Sequence, residues 1–157
     1  MVLKRKGKMN PVKSICVVDG QGGGIGTAII KRLKAAFEER VEIVALGTNA
    51  IATAQMLKAR ANRGASGENA IVVTSPQVDV IIGSVSIVMA DAMMGEVTPK
   101  IAAAIASSPA RKLLIPLSQE NVVIVGAMSV PLPHFIDALI DEHLEPLLDR
   151  DGPAGKQ

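Results

Sequence analysis

Seven residues near the start of the chain carry its strongest chemical signal. Gly20-Gln21-Gly22-Gly23-Gly24-Ile25-Gly26 holds five glycines, and Val17-Val18-Asp19 leads into it. Glycines at this density let the backbone turn sharply and bring N–H groups close to a phosphate, and a helix opening behind them adds its positive dipole end. Each glycine costs backbone entropy, which a turn serving strand–helix packing alone would not need to spend five times over. Asp19, Gly20, Gln21, Gly22, Gly23, Gly24, Ile25 and Gly26 are therefore the first candidates for cofactor binding. A Walker A loop is excluded, because no Lys-Ser/Thr pair follows the glycines. Asp19 fits three roles: capping the turn amides, which is the simplest, bonding a ribose hydroxyl, or holding a cation.

Other candidates follow from where strands should end. Gly47-Thr48-Asn49 closes a second apolar run, at the place where dinucleotide-binding folds carry an acid for the ribose. Here the residues are neutral, so nothing repels a 2′-phosphate, and Lys58, Arg60 and Arg63 lie downstream. That tilts the expected cofactor, NAD(P), towards NADP, with another nucleotide nearly level. Thr48 and Asn49 are equally good helix-start residues. Gly83 and Ser84, with Ser86 beyond, end a further run and offer close backbone approach and hydroxyl donors. Glu68 and Glu96 are candidate general bases and Lys100 a candidate phosphate contact, although such charges commonly face solvent. Cys16 falls inside the first strand as a core residue. His134 and His143, nine apart on the last helix, cannot share a helix face as ligands, and no metal site is expected.

The elements that must position these residues alternate. Ser14–Val18 reads as a strand, Gly24–Arg40 as a helix with apolar residues at helical spacing, and Val41–Leu46 as a second strand. Asn49 is a good N-cap for a helix over Ile51–Asn62, with Gly64 as its C′ residue. Strand and helix alternating in this way predict βαβ units and a parallel sheet. Ala70–Thr74 and Val78–Ile82 both read as strands, yet the three residues between them are too few for a parallel crossover. A helical stretch follows around Val85–Met94, with Asp91 inside it, and Thr98-Pro99 opens another helix. Lys112–Leu117 and Val122–Val125 read as a hairpin across Ser118–Asn121. The last helix starts near Pro133. The expected fold class is α/β: a three-layer Rossmann-like domain over residues 14–149, with a mainly parallel but mixed sheet.

Composition narrows the chemistry. The chain of 157 residues has no Trp, no Tyr, two Phe and one Cys, which excludes a disulfide framework, a cysteine zinc site and base stacking on aromatics. The first 13 residues hold five of the 17 cations and no acid, so the remainder carries 12 basic against 15 acidic side chains. Residues 1–13 read as a solvated basic leader and residues 150–157 as a polar tail. No run is long and apolar enough for a membrane span or a signal peptide, and the expectation is a cytoplasmic protein without nucleic-acid or membrane partners. A mean hydropathy of +0.34 in so small a domain points to a homo-oligomer. The apolar Val80–Met94 region, with Met89, Met93 and Met94, is the expected contact.

With Gly20, Gly24 and Gly26 in a G-x-x-x-G-x-G register and Ile25 between the last two, the loop resembles the cofactor loop of the short-chain dehydrogenases. The resemblance stops there, since their catalytic Tyr-x-x-x-Lys pair requires a tyrosine. Across Gly47–Thr53, Gly67–Ala70, Ile81–Gly83 and Gly95–Lys100 the chain also resembles a small bacterial family known only as a domain of unknown function, over about residues 14–146. That resemblance implies a compact single domain and brings no activity. Three function classes stay open. The first is a nucleotide-binding or sensing module holding NAD(P) or a related nucleotide. The second is a small oxidoreductase or transferase using Glu68, Glu96, Lys100 or the Ser84 and Ser86 hydroxyls. The third is a structural or interaction subunit.

Overall fold

The structure is a computed structural model that describes residues 12–118 and 120–149. Most of the basic leader and the polar tail lie outside the described residues. Five parallel strands form the centre: β1 Ser14–Asp19, β2 Glu42–Gly47, β3 Arg63–Ser66, β4 Val80–Ser84 and β5 Arg111–Ile115. Their order across the sheet is β3-β2-β1-β4-β5. The strands flanking the centre are nearly continuous apolar runs, as a sheet covered on both faces requires.

Helices α1 Gly24–Phe37, α2 Ala50–Lys58 and α5 Leu132–Ala138 cover one face. The chain continues from α5 through a π-turn segment, Leu139–Leu144, into α6 Glu145–Asp149. Their core is built on Ile15, Val17, Ile43, Ala45 and Ile82 from the sheet, with Ile29, Leu33, Phe37, Met56, Ile140 and Leu144 above it. Helices α3 Glu68–Thr74 and α4 Pro99–Ser107 cover the other face, where Ile71, Ile101 and Ile105 pack on Cys16, Val18, Leu46 and Ile81. Because successive side chains of a strand point to opposite faces, β1 serves both cores at once.

Local chemistry explains several boundaries. Asn49 caps α2, its Oδ1 accepting from Ala52 N at 2.8 Å, and Thr98 caps α4 from Ile101 N at 3.1 Å with Pro99 at the first helical position. At the amino ends of β1 and β4 the Asp79 carboxylate accepts from Lys13 N, Ser14 N and Ser14 Oγ at 2.8, 3.0 and 3.2 Å. That clasp fixes the register of two strands far apart in sequence.

The three-layer α/β architecture and the parallel sheet agree with the reading of the sequence, but five details are corrected. The sheet is not mixed: all four described strand pairings are parallel. Residues 70–74 belong to helix α3, which supplies the crossover from β3 to β4 that three residues could not. The α2 segment ends at Lys58, and Arg60 (φ 81°), not Gly64, turns the chain into β3. Val85–Met94 is a short 3₁₀ turn, Val85–Val88, followed by a knot of tight turns in which Asp91, Met93 and Met94 all have positive φ. Val122–Val125 pairs with no described strand, so the expected hairpin is absent, and β5 is an edge.

Candidate functional site

In a 3-2-1-4-5 sheet the chain runs outward from β1 in both directions, so the connections after β1 and β4 leave to opposite faces. A crevice opens beyond the carboxyl ends of those two strands, and open α/β folds bind ligands there. The glycine loop follows β1 and Ser84 ends β4. Between them lies a cleft of about 380 Å³ lined by Asp19 and the loop through Ile25, by Ser84 and Ser86, and by Met93, Leu117, Ser118 and Glu120. That size is at the small end of ligand pockets, about 300–1,000 Å³.

The five glycines divide into two kinds. A Cβ on Gly20 would stand 2.7 Å from Met93 Sδ, and one on Gly26 2.5 Å from Met56 Sδ and 3.0 Å from Asp19 Cβ. Gly23, at φ 74°, brings the loop against the backbone of α2, where a Cβ would meet Ala52 O at 2.9 Å. These three are needed for packing. Gly22 and Gly24 have nothing within 4 Å of such a Cβ, and both line the cleft. Their N–H groups also have no hydrogen-bond partner among the described residues, unlike Gly20, Gln21, Gly23 and Gly26.

Asp19 is buried and takes the amides that a bound anion would otherwise use. Its Oδ1 accepts from Gly20 N and its Oδ2 from Gly26 N, each at 2.7 Å. Burial pushes its pKa up; hydrogen bonds from the backbone of Gly26, Gly20 and Ile25 pull it down without cancelling that effect, and the charge of Glu96 adds to the rise. Asp19 is thus the cap of the turn, the simplest of its expected roles. The floor of the cleft is hydroxylic: Ser84 Oγ accepts from Ser86 N at 3.3 Å, and Ser86 and Ser118 are joined through their hydroxyls at 3.2 Å. Glu120 Oε1 accepts from Met93 N at 2.9 Å, tying the connection after β5 to the one after β4. Among the described residues the lining has two carboxylates, Asp19 and Glu120, and no Lys, Arg or His.

Glu96, on the β4–α4 connection, lies against the glycine loop beside the cleft, although it is not among the residues that line it. Its Oε1 accepts from Thr48 Oγ1, Asn49 Nδ2 and Gln21 N at 2.7, 2.6 and 2.9 Å. Partial burial raises its pKa, but these bonds outweigh it and hold the carboxyl below its ordinary value. Thr48 and Asn49 therefore border the site as holders of Glu96. Gly83 lies beneath the site, where a Cβ would meet Ile87 Cδ1 and Val18 O, both at 2.8 Å. Glu68 bonds Thr98 Oγ1 at 2.6 Å, Lys100 is exposed on α4, and neither lines the cleft. The cations expected to favour NADP are misplaced: Lys58 ends α2, Arg60 follows it, and Arg63 begins β3 and pairs with Glu42. All three lie around the connection into the amino end of β3, whereas the glycine loop follows the carboxyl end of β1. Glu120 was not legible, since its segment reads only as a polar turn.

These features define a doubly wound α/β protein with its cleft at the switch between β1 and β4. The chain belongs to the family described as Domain of unknown function (DUF3842), which matches residues 14–147. No curated protein matches it. Among solved structures, a universal stress protein in complex with cAMP is similar at TM-score 0.42 and 16% identity, over 68% of this chain and 98% of that one.

Proposed function

We propose that this protein binds a nucleotide at the switch-point cleft and works as a binding or sensing module. The observation that carries the reading is the pair Gly22 and Gly24, whose amides have no partner among the described residues and whose open faces line the cleft. A phosphate held by backbone N–H groups at the start of α1 suits that geometry. Ser84, Ser86 and Ser118 offer hydroxyls to the remainder of the ligand, and Ile25, Met93 and Leu117 offer an aliphatic wall for a base.

Electrostatics narrows the ligand further. Asp19 and Glu120 lie in a lining that has no cation among the described residues, so each additional negative charge on the ligand is disfavoured. A nucleoside monophosphate fits better than a triphosphate. Among dinucleotides NAD, whose nicotinamide cation offsets one phosphate charge, fits better than NADP. A thermal-shift series with nucleoside mono- and triphosphates, NAD, NADP, FAD and S-adenosylmethionine tests this. At a hundredfold excess over Kd a bound ligand contributes about 2.7 kcal/mol. The expected result is a rise in Tm with monophosphates or NAD, and a smaller one with triphosphates and NADP. No shift with any of them overturns the reading. Self-association forms part of the same proposal, supported by the exposed apolar stretch Val122–Val125 with Met128.

A further inference from the structure

The strand that ought to carry a ribose-binding acid has none, and the structure delivers one from elsewhere. β2 ends at Gly47 and Thr48-Asn49 follow it, where dinucleotide-binding folds place a carboxylate for the ribose hydroxyls. Glu96, from the connection after β4, lays its carboxylate against that strand end and against the glycine loop. Thr48 and Gln21 each give it a hydrogen, and Asn49 gives one from Nδ2 while its Oδ1 caps α2. All three bonds arrive at Oε1, and Oε2 receives none from any described residue. An ionised carboxylate has about four acceptor positions, so Oε2 has capacity to spare while Oε1 fixes its direction.

The connection that carries Glu96 is itself well defined. Asp91 N bonds Val97 O at 2.7 Å, Val97 N bonds Ala92 O at 3.1 Å, and Glu96 N bonds Met93 O at 3.1 Å. Val97 and Ala92 are buried, so the turn is seated in the core and its glutamate projects from a fixed base. A preorganised acceptor beside a phosphate-binding loop is suited to a diol, since both of its hydroxyls donate. It is unsuited to a second phosphate, which its own negative charge would repel.

We propose that Glu96 reads the sugar of the bound nucleotide. Its Oε2 accepts a hydrogen bond from the 2′- or 3′-hydroxyl of a ribonucleotide whose phosphate rests on Gly22 and Gly24, and its charge excludes a 2′-phosphate. This rests on the nucleotide reading above. It adds that the ligand is a ribonucleotide with a free diol.

Calorimetry on the full chain tests the inference. The titrants are the four ribonucleoside 5′-monophosphates, their 2′-deoxy and 2′,3′-dideoxy counterparts, adenosine 2′,5′-bisphosphate, NAD and NADP. Losing a hydrogen bond to a charged group is expected to weaken the dideoxy compounds about tenfold or more. The 2′-phosphorylated compounds are expected to weaken at least as much. In Glu96→Gln the ribo-to-dideoxy ratio shrinks towards one and the penalty on the 2′-phosphate is relieved. If ribo and dideoxy compounds bind the wild type equally, or a 2′-phosphate binds as well as the free diol, the inference is overturned while nucleotide binding stands. An unchanged ratio in a folded Glu96→Gln overturns the assignment to Glu96. Should that variant not fold, the wild-type series decides alone. If no nucleotide binds, both readings fall together.

Discussion

Two carboxylates only a few ångströms from the same loop respond oppositely to their surroundings. Asp19 is buried deeply enough that desolvation outweighs its backbone hydrogen bonds, so its pKa rises; Glu96 is only partly buried, and its three hydrogen bonds win. The two therefore give stability opposite pH dependences. A carboxyl whose native pKa exceeds its unfolded value contributes stability that is complete below the unfolded value and is lost as pH rises through the native one. A carboxyl with a lowered native pKa contributes above its unfolded value and loses that contribution as pH falls. Urea unfolding between about pH 3 and pH 6 resolves the two. The stability difference between wild type and Asp19→Asn should fall with rising pH, and that for Glu96→Gln should rise. Equal slopes would contradict the burial difference. Cys16 is a simpler case: burial pushes its thiol up to about 12, so a thiol reagent should leave the native protein unmodified and react once in denaturant.

At the scale of the element, the loop between β1 and α1 separates glycines that serve the fold from glycines that serve a ligand. Gly23→Ala places a Cβ at a left-handed residue against Ala52 O, and Gly26→Ala drives one into Met56. Strain and overpacking of this kind cost about 1–3 kcal/mol. Gly22→Ala and Gly24→Ala meet open space, and each should change stability by no more than about 0.5 kcal/mol while weakening nucleotide binding. Thermal melts and calorimetry on the four variants check the division; loss of stability in the last pair would reassign them to packing. This first unit was legible in the sequence because its signals agree. An apolar strand, a glycine cluster, helical periodicity and the Asn49 cap all point to one βαβ unit. The next was not, because signal and structure conflict. β3 is Arg-Gly-Ala-Ser, four exposed residues with no apolar pattern, and it is a strand only through its hydrogen bonds to β2. The β-branched Ala70–Thr74 is a helix because the crossover demands one. Glu120 enters the cleft, and Glu96 reaches the loop beside it, from connections remote in sequence, and no spacing rule links them to Gly20–Gly26. Only the topology does.

At the scale of the molecule, the densest run of exposed apolar side chains among the described residues is in the connection between β5 and α5. Val123, Val125 and Met128 are 86, 94 and 74% exposed there, next to the segment bearing Ser118 and Glu120. The expected contact around Val80–Met94 is instead mostly internal: Val80–Ile82 lie in the sheet, Ile87 and Ala92 in the core, and of its three methionines only Met94 is largely exposed. Self-association through the 122–128 stretch predicts that Val123→Asp combined with Val125→Asp yields monomers by light scattering, whereas the wild type is heavier. A monomeric wild type would dismiss that surface as an oligomer contact.

The central place of β1 has a consequence for synthesis. It precedes the other described strands along the chain, and β2 can pair with it early along one side. The other side waits for β4, whose Asp79 clasp lies 65 residues beyond Ser14. Until then Ile15, Cys16 and Val17 form a bare apolar edge in the nascent chain, open to pairing with a neighbour. Translation pauses or truncations before residue 84 should therefore promote aggregation, and the ligand cleft comes into being only when the second half of the chain arrives.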